Sequence, residues 1–169
     1  ESLEIDPLCM GCLYEKALAE GDLTEWKREM RQDAYNYLEL SLDYAKAGLY
    51  EDAARILKVC PDEKHPLRWY YLGWIFWKMG DDALAEANWK EGESCPPDWC
   101  FPNRIEEIGI LEAAISYLGH APMAQYYLGN LLYDKKRWDE AIVCWETSAS
   151  QKPEFSAVFR NLAIAYYNR

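Results

Sequence analysis

The chain of 169 residues lacks any run of 18 apolar residues, so the sequence predicts no membrane-spanning helix. Basic residues are scarce, because 18 Lys and Arg stand against 29 Asp and Glu for a net charge of −11. Such a surface repels phosphate groups, which argues against nucleic acids and membranes as partners and fits a neutral or basic partner. Residues 1–4 include neither a basic stretch nor the apolar segment of a signal peptide, and we expect a cytoplasmic protein.

Residues suited to catalysis are equally few. The two histidines, His65 and His120, stand at predicted joints between helices, and no motif places a nucleophile or a carboxylate beside either one. A glycine-rich loop for phosphate is missing. The adjacent acidic pairs at 81–82 and 106–107 point in two directions around a helix, as side chains on solvated faces do. We therefore expect a protein that is not an enzyme and that has no cofactor.

Cysteine is present in six copies, and its role has several interpretations. Cys9 and Cys12 form a Cys-x-x-Cys, and with Cys95 and Cys100 they would supply four thiolates for zinc. Nothing in the sequence brings the two pairs together, and a redox pair of this spacing is expected in a βαβ unit, which the pattern does not predict. The sequence favours buried structural cysteines. A disulfide between Cys95 and Cys100 stays open for an oxidising compartment.

The sequence is rich in a periodic pattern of small and aromatic residues. Leu128-Gly129 is echoed 34 positions later by Leu162-Ala163, and the interval contains Ala141, Trp145 and Pro153. A period of this length predicts antiparallel helix pairs, because two helices cross closely only where a small residue lies at the crossing. Half of the residues are apolar, with 8 Trp, 13 Tyr and 4 Phe to fill the core.

The period is regular in two places and irregular in two others. Gly48 and Gly73 mark two well-formed hairpins, whereas Trp26 takes the place of a small residue in the first unit. An extra segment then follows, in which Asn103 is the predicted N-cap of a helix from about Arg104 to Leu118. We predict a single array over residues 1–169: a degenerate repeat (1–31), repeats at 33–64 and 65–97, an irregular loop plus helix (98–120), a repeat at 121–153 and the first helix of a truncated repeat (154–169).

On these residues the chain resembles tetratricopeptide-repeat proteins over nearly its whole length. The resemblance implies an all-α fold, a right-handed α-solenoid of helix-turn-helix repeats, whose extended surface binds proteins. Residues 97–104, 126–135 and 160–163 are also similar to the repeat region of large bacterial proteins, in which an uncharacterised β-rich domain, suspected to handle carbohydrate, lies upstream. Since residues 1–7 and 166–169 resemble interior parts of repeats, we expect a fragment of such a protein.

The resemblance also implies a binding surface. In tetratricopeptide superhelices the first helix of each pair lines the concave groove, and Asn130 and Asn161 match two asparagines of carboxylate-clamp repeats. An Asn amide can fasten a peptide backbone through its donor and its acceptor, and Arg160 offers a fork for a carboxylate. The match is partial, because Tyr126 replaces the clamp's first Lys and its last basic residues would lie beyond Arg169. The predicted peptide-binding residues are Asn130, Asn161, Arg160, Tyr126, Tyr133, Tyr70, Trp74 and Trp77.

The predicted function is a non-catalytic interaction scaffold that binds a protein segment, or a neighbouring domain of its own chain, on this face. One alternative is an accessory module of a carbohydrate-active protein, with exposed aromatic rings stacked on sugars. Another is a structural or dimerisation spacer, and under this alternative the chain can form an oligomer. A scaffold predicts that Asn130 and Asn161 have no internal partners, although hydrogen bonding within the array is the competing interpretation of both. For Trp69, Phe76, Trp89 and Trp145 we expect packing between helices.

Overall fold

The computed structural model describes residues 2–168, with the side chain of Ser2 left aside; Glu1 and Arg169, the ends of the predicted array, lie outside the described residues. Throughout this range the regular structure is helical, without a β-strand. The predicted all-α class, with neighbouring helices paired as hairpins, is confirmed. The chain divides after Glu63 into two compact units.

The first unit is built around a cluster of aromatic rings. Trp26 is buried, and its ring centroid lies 4.8 Å from that of Tyr14 and 5.4 Å from that of Tyr37. The large indole therefore fills the space that a small residue would leave for a closer helix crossing. The helices of this unit are α1 (Ser2–Ile5), α2 (Met10–Glu20), α3 (Thr24–Glu29), α4 (Ala34–Lys46) and α5 (Tyr50–Lys58).

The second unit contains two hairpins with the same design. Its helices are α6 (Pro66–Lys78), α7 (Asp82–Ser94), α8 (Glu106–Leu118), α9 (Pro122–Asp134), α10 (Trp138–Gln151) and α11 (Ser156–Tyr167). Helices α6 and α7 pair as one hairpin, and α9 and α10 pair as the other. A proline opens the first helix of each, where its missing N–H costs no helical hydrogen bond.

Each hairpin is closed by an indole lying directly over a glycine. A Cβ atom added to Gly73 would stand 2.4 Å from Cδ1 of Trp89, and one added to Gly129 would stand 2.5 Å from Cδ1 of Trp145. Both indoles are buried. The glycine is therefore required by space, because any side chain would push the second helix away from the first.

The extra segment carries a capping arrangement that differs from the prediction. The N-cap of α8 is Ile105, which has no side-chain cap, and the prediction of Asn103 as N-cap is wrong. Oε2 of Glu107 instead accepts hydrogen bonds from the backbone N–H of Asn103 (2.7 Å) and of Arg104 (3.0 Å). Oε1 accepts one from the Tyr71 hydroxyl at 2.9 Å. Glu107 accepts these hydrogen bonds because it lies on the buried side of α8, where the helix packs against α6 and α9.

Replacing Gly129 with Ala tests the close crossing. We expect Gly129→Ala to lower the free energy of unfolding by about 1–3 kcal/mol, since the new methyl group overpacks the Trp145 indole. Gly109→Ala in α8 is the matched control: a Cβ there meets nothing within 4 Å, so helix propensity should raise stability by about 0.5–1 kcal/mol. Urea denaturation measures both, and equal effects of the two substitutions would contradict the crossing.

Glu107 predicts a dependence of stability on pH. Burial raises its pKa above the ordinary 4.5, against the opposing effect of the hydrogen bonds from Arg104, Tyr71 and Asn103. The folded protein thus holds this proton more tightly than the unfolded chain. The resulting stabilisation is complete below pH 4.5 and is lost as the pH rises through the raised pKa.

Glu107→Gln, which stays neutral, should therefore gain stability relative to the unsubstituted protein as the pH rises from about 4 to 7, by about 1.4 kcal/mol for each unit of pKa elevation. Chemical denaturation at a series of pH values measures the difference. Glu112→Gln, at an exposed position on the same helix, is the control substitution. Parallel pH profiles for Glu107→Gln and the unsubstituted protein would refute the role assigned to this carboxyl group.

Candidate functional site

Two asparagines from different helices meet in the second unit. Nδ2 of Asn161, on α11, donates a hydrogen bond to Oδ1 of Asn130, on α9, at 2.9 Å. Nε1 of Trp145, on α10, donates to the same oxygen at 3.1 Å. Both asparagines are half-buried, and we call them the amide pair. With Trp145, Tyr133 and Ile164 they line a cavity of about 190 Å³, so the structure brings three of the predicted residues together.

The expectation that these asparagines have no internal partners is wrong, because the buried indole N–H takes Asn130 as its acceptor. Only half of each amide is used in this way. Within residues 2–168, no protein group bonds to Nδ2 of Asn130 or to Oδ1 of Asn161. The amide pair therefore keeps one donor and one acceptor for another molecule.

In the other hairpin, the corresponding indole donates its hydrogen bond to the backbone and not to a side-chain amide. In the α6–α7 hairpin, Nε1 of Trp89 donates to the backbone oxygen of Tyr70 at 3.2 Å. Trp74 occupies the position that corresponds to Asn130, 56 residues before it. An indole in this fold thus reaches a backbone acceptor when no amide is present. Asn130 therefore places an amide beside the cavity of about 190 Å³.

Two of the predicted contact residues lie in the core. Tyr70 is 0% exposed, and its hydroxyl donates to Oε1 of Glu93 at 2.8 Å. Tyr126 is 9% exposed, and its ring packs edge-on against Phe155 at 4.8 Å between centroids. The prediction that these two tyrosines belong to a peptide-binding face is therefore corrected. The reason is that the first helices are covered on several sides, and these tyrosines point towards neighbouring helices.

Trp74 and Trp77 form a separate patch on α6. Trp74 is half-buried and Trp77 is 40% exposed. The Nζ atom of Lys78 lies 5.6 Å from the ring centroid of Trp74 and 4.7 Å from that of Trp77, within the range of cation–π attraction. Each ring already has a cation near it, which makes these aromatic side chains less open for stacking on a sugar.

Tyr133 links the amide pair to a larger cavity. Its ring lies 5.2 Å from that of Trp145, and it also lines a second cavity of about 840 Å³ with Trp138, Ile142 and Ala165. Trp138 is 57% exposed, whereas Ile142 is buried. Arg160, next to Asn161 on α11, is exposed. The charged and polar residues of the larger cavity are Asp134, Lys136, Asp139 and Asn168.

Sequence reasoning missed Trp138 and Ile164 as lining residues. Ile164 stands 34 positions after Asn130, so the repeat period itself marks it as a residue of the same face. Trp138 stands three positions before Ala141 of the repeat pattern, and only its exposure distinguishes it from a core residue.

The remaining candidate chemistry is not assembled in the described part of the chain. No group of three or more His, Cys, Asp or Glu side chains there could hold a metal ion. His65 is buried at the N-cap of α6, and His120 is exposed. Among residues 2–168 no helix has the length and apolar character needed to cross a bilayer.

Comparisons with solved structures give distant matches. No family model matches the chain. A crystal structure of MamA is 23% identical, with a TM-score of 0.40, and the match covers 90% of this chain and 82% of that one. MamA residues 41 to the end from Desulfovibrio magneticus RS-1 is 18% identical, with a TM-score of 0.36 and coverage of 80% and 84%. YrrB, described as a TPR protein with an unusual peptide-binding site, is 15% identical, with a TM-score of 0.39 and coverage of 86% and 82%. Similarities this distant assign no function to the chain.

Removing the Asn130 amide tests the hydrogen bonds of the site. Asn130→Ala should lower the free energy of unfolding by about 1–2 kcal/mol, because the donors of Trp145 and Asn161 both lose their acceptor. Asn88→Ala, which removes a half-buried amide on α7 whose hydrogen bond to the Leu84 carbonyl is solvent-exposed, should change it by less than about 0.5 kcal/mol. Thermal denaturation followed by circular dichroism measures both variants. If both variants changed the free energy of unfolding equally, the Trp145 indole would have a backbone acceptor in Asn130→Ala, as Trp89 has in the other hairpin.

Proposed function

We propose that the chain is a non-catalytic interaction scaffold that binds an extended protein segment along α9 and α11. The observation that carries this proposal is the amide pair, whose unused donor and acceptor belong to residues lining a cavity. A peptide group offers the complementary acceptor and donor. Two asparagines of this kind can therefore hold a main chain without depending on the identity of its side chains.

The larger cavity supports an anchor residue in the bound segment. Tyr133 lines both cavities, so a segment fastened at the amide pair would have its neighbouring residue close to Trp138 and Ile142. An aromatic or aliphatic side chain fits this lining, and buried anchors of that type carry much of the affinity at protein interfaces. The larger cavity selects the side chain of the bound segment, and the amide pair binds its main chain.

Charge favours a segment that is neutral or basic overall. The net charge of −11 attracts basic partners over a distance of about 10 Å at moderate salt. Arg160 is a local exception, because its exposed guanidinium suits a single carboxylate beside the amide pair. The segment can come from another protein or from a neighbouring domain of the same chain, such as the β-rich domain of the similar bacterial proteins.

A selection from phage-displayed random linear peptides tests this function. The consensus peptide is synthesised, and its affinity is measured by isothermal titration calorimetry. We expect Asn161→Ala to weaken binding about tenfold, since one hydrogen bond to a partly buried amide is lost. Tyr133→Ala should weaken it at least as much, because it removes the shared wall of the two cavities. Asn88→Ala, outside the site, should leave the affinity unchanged.

Several outcomes would overturn the proposal. A consensus peptide whose affinity is the same for all three variants would bind elsewhere on the chain. Failure to select any peptide, together with concentration-dependent dimers in sedimentation, would favour the spacer. Binding of oligosaccharides that depends on Trp77 would favour the carbohydrate module. Circular dichroism of each variant ensures that a lost affinity is not a lost fold.

A further inference from the structure

The first turn of α2 holds two thiols in contact. Cys9 is the N-cap residue of this helix of 11 residues, and its sulfur accepts a hydrogen bond from the backbone N–H of Cys12 at 3.4 Å. The sulfur atoms of Cys9 and Cys12 lie 2.7 Å apart. Side chains three positions apart in a helix are neighbours, and they fall in the range that a disulfide of about 2.0 Å can bridge.

The surroundings of this pair are those of reactive thiols. Both side chains are half-buried, so a small molecule in solution can reach the pair. The sulfur of Cys9 lies at the start of the helix, where the backbone N–H of Cys12 donates a hydrogen bond to it. Cys9 and Cys12 are thus half-buried, whereas the sequence favours buried structural cysteines.

The other four cysteines provide an internal contrast. Cys60, Cys95 and Cys100 are buried, and burial raises the pKa of the Cys100 thiol. Cys144 is half-buried, but burial and the nearby Glu112 and Glu140 carboxylates raise the pKa of its thiol to about 11, which leaves little thiolate at neutral pH.

We propose that Cys9 and Cys12 are a redox-active dithiol that closes to a disulfide by exchange with small disulfides such as glutathione disulfide. The Cys9 thiolate attacks one sulfur of the glutathione disulfide, the disulfide bond breaks, and one glutathione leaves with the proton. The Cys12 thiolate then attacks the Cys9 sulfur, and the second glutathione leaves in the same way. Two electrons pass from the protein to the oxidant, and a reducing dithiol reverses the process.

The test is alkylation of the intact chain after incubation with glutathione disulfide. The protein is quenched in denaturant with N-ethylmaleimide, and intact mass spectrometry counts the adducts. We expect four adducts where the reduced protein gives six, a mass lower by two hydrogen atoms before alkylation, and full recovery with dithiothreitol. Tryptic mapping should place the new bond within the peptide that contains Cys9 and Cys12.

Single variants separate this pair from an adventitious thiol. Cys12→Ser should stop the reaction at a mixed disulfide, with one glutathione on Cys9. Cys144→Ser should oxidise like the unsubstituted protein. Six adducts after prolonged oxidation, mapping of the bond to Cys95 and Cys100, or loss of the bond in Cys144→Ser would each overturn the proposal. Circular dichroism of Cys12→Ser shows whether the helix is intact, and the mixed disulfide is then read on folded protein.

Discussion

The fold of the second unit depends on two glycines whose missing side chains leave room for an indole. At Gly73 and at Gly129 the backbone of the first helix is bare, and an indole from the second helix occupies the position that a side chain would take. The indole then brings most of its apolar surface into the core, which is the main favourable term for such a hairpin. The glycine, which is costly in a helix by itself, is retained because it admits the indole.

Much of the fold could be predicted from this constraint, since it leaves a pattern in the sequence. Gly73 precedes Trp89 by the same interval as Gly129 precedes Trp145, and the small residues, aromatic residues and prolines recur around them. The cap of α8 could not be predicted in the same way. Asn103 has the right residue type, but Glu107 has a buried position beside Tyr71, and only the packing of α8 reveals that difference.

The candidate site was predicted with less success, and the reason is geometrical. A repeat register identifies the first helices, but it does not state how many sides of each helix are covered. Tyr70 and Tyr126 belong to covered sides, whereas Asn130 and Asn161 reach a cavity. The bond from Trp145 to Asn130 was hidden for a similar reason, since a backbone oxygen serves the corresponding indole of the other hairpin.

Trp145 takes part both in the wedge over Gly129 and in the hydrogen bond to Asn130. The same ring therefore takes part in the packing of α9 against α10 and in the lining of the cavity of about 190 Å³. A segment bound to the amide pair, as proposed, would also restrain the ring, and by thermodynamic reciprocity a more stable hairpin would then bind that segment more tightly. The indole is also one of eight tryptophan fluorophores in the chain, and it lies where the hairpin meets the amide pair.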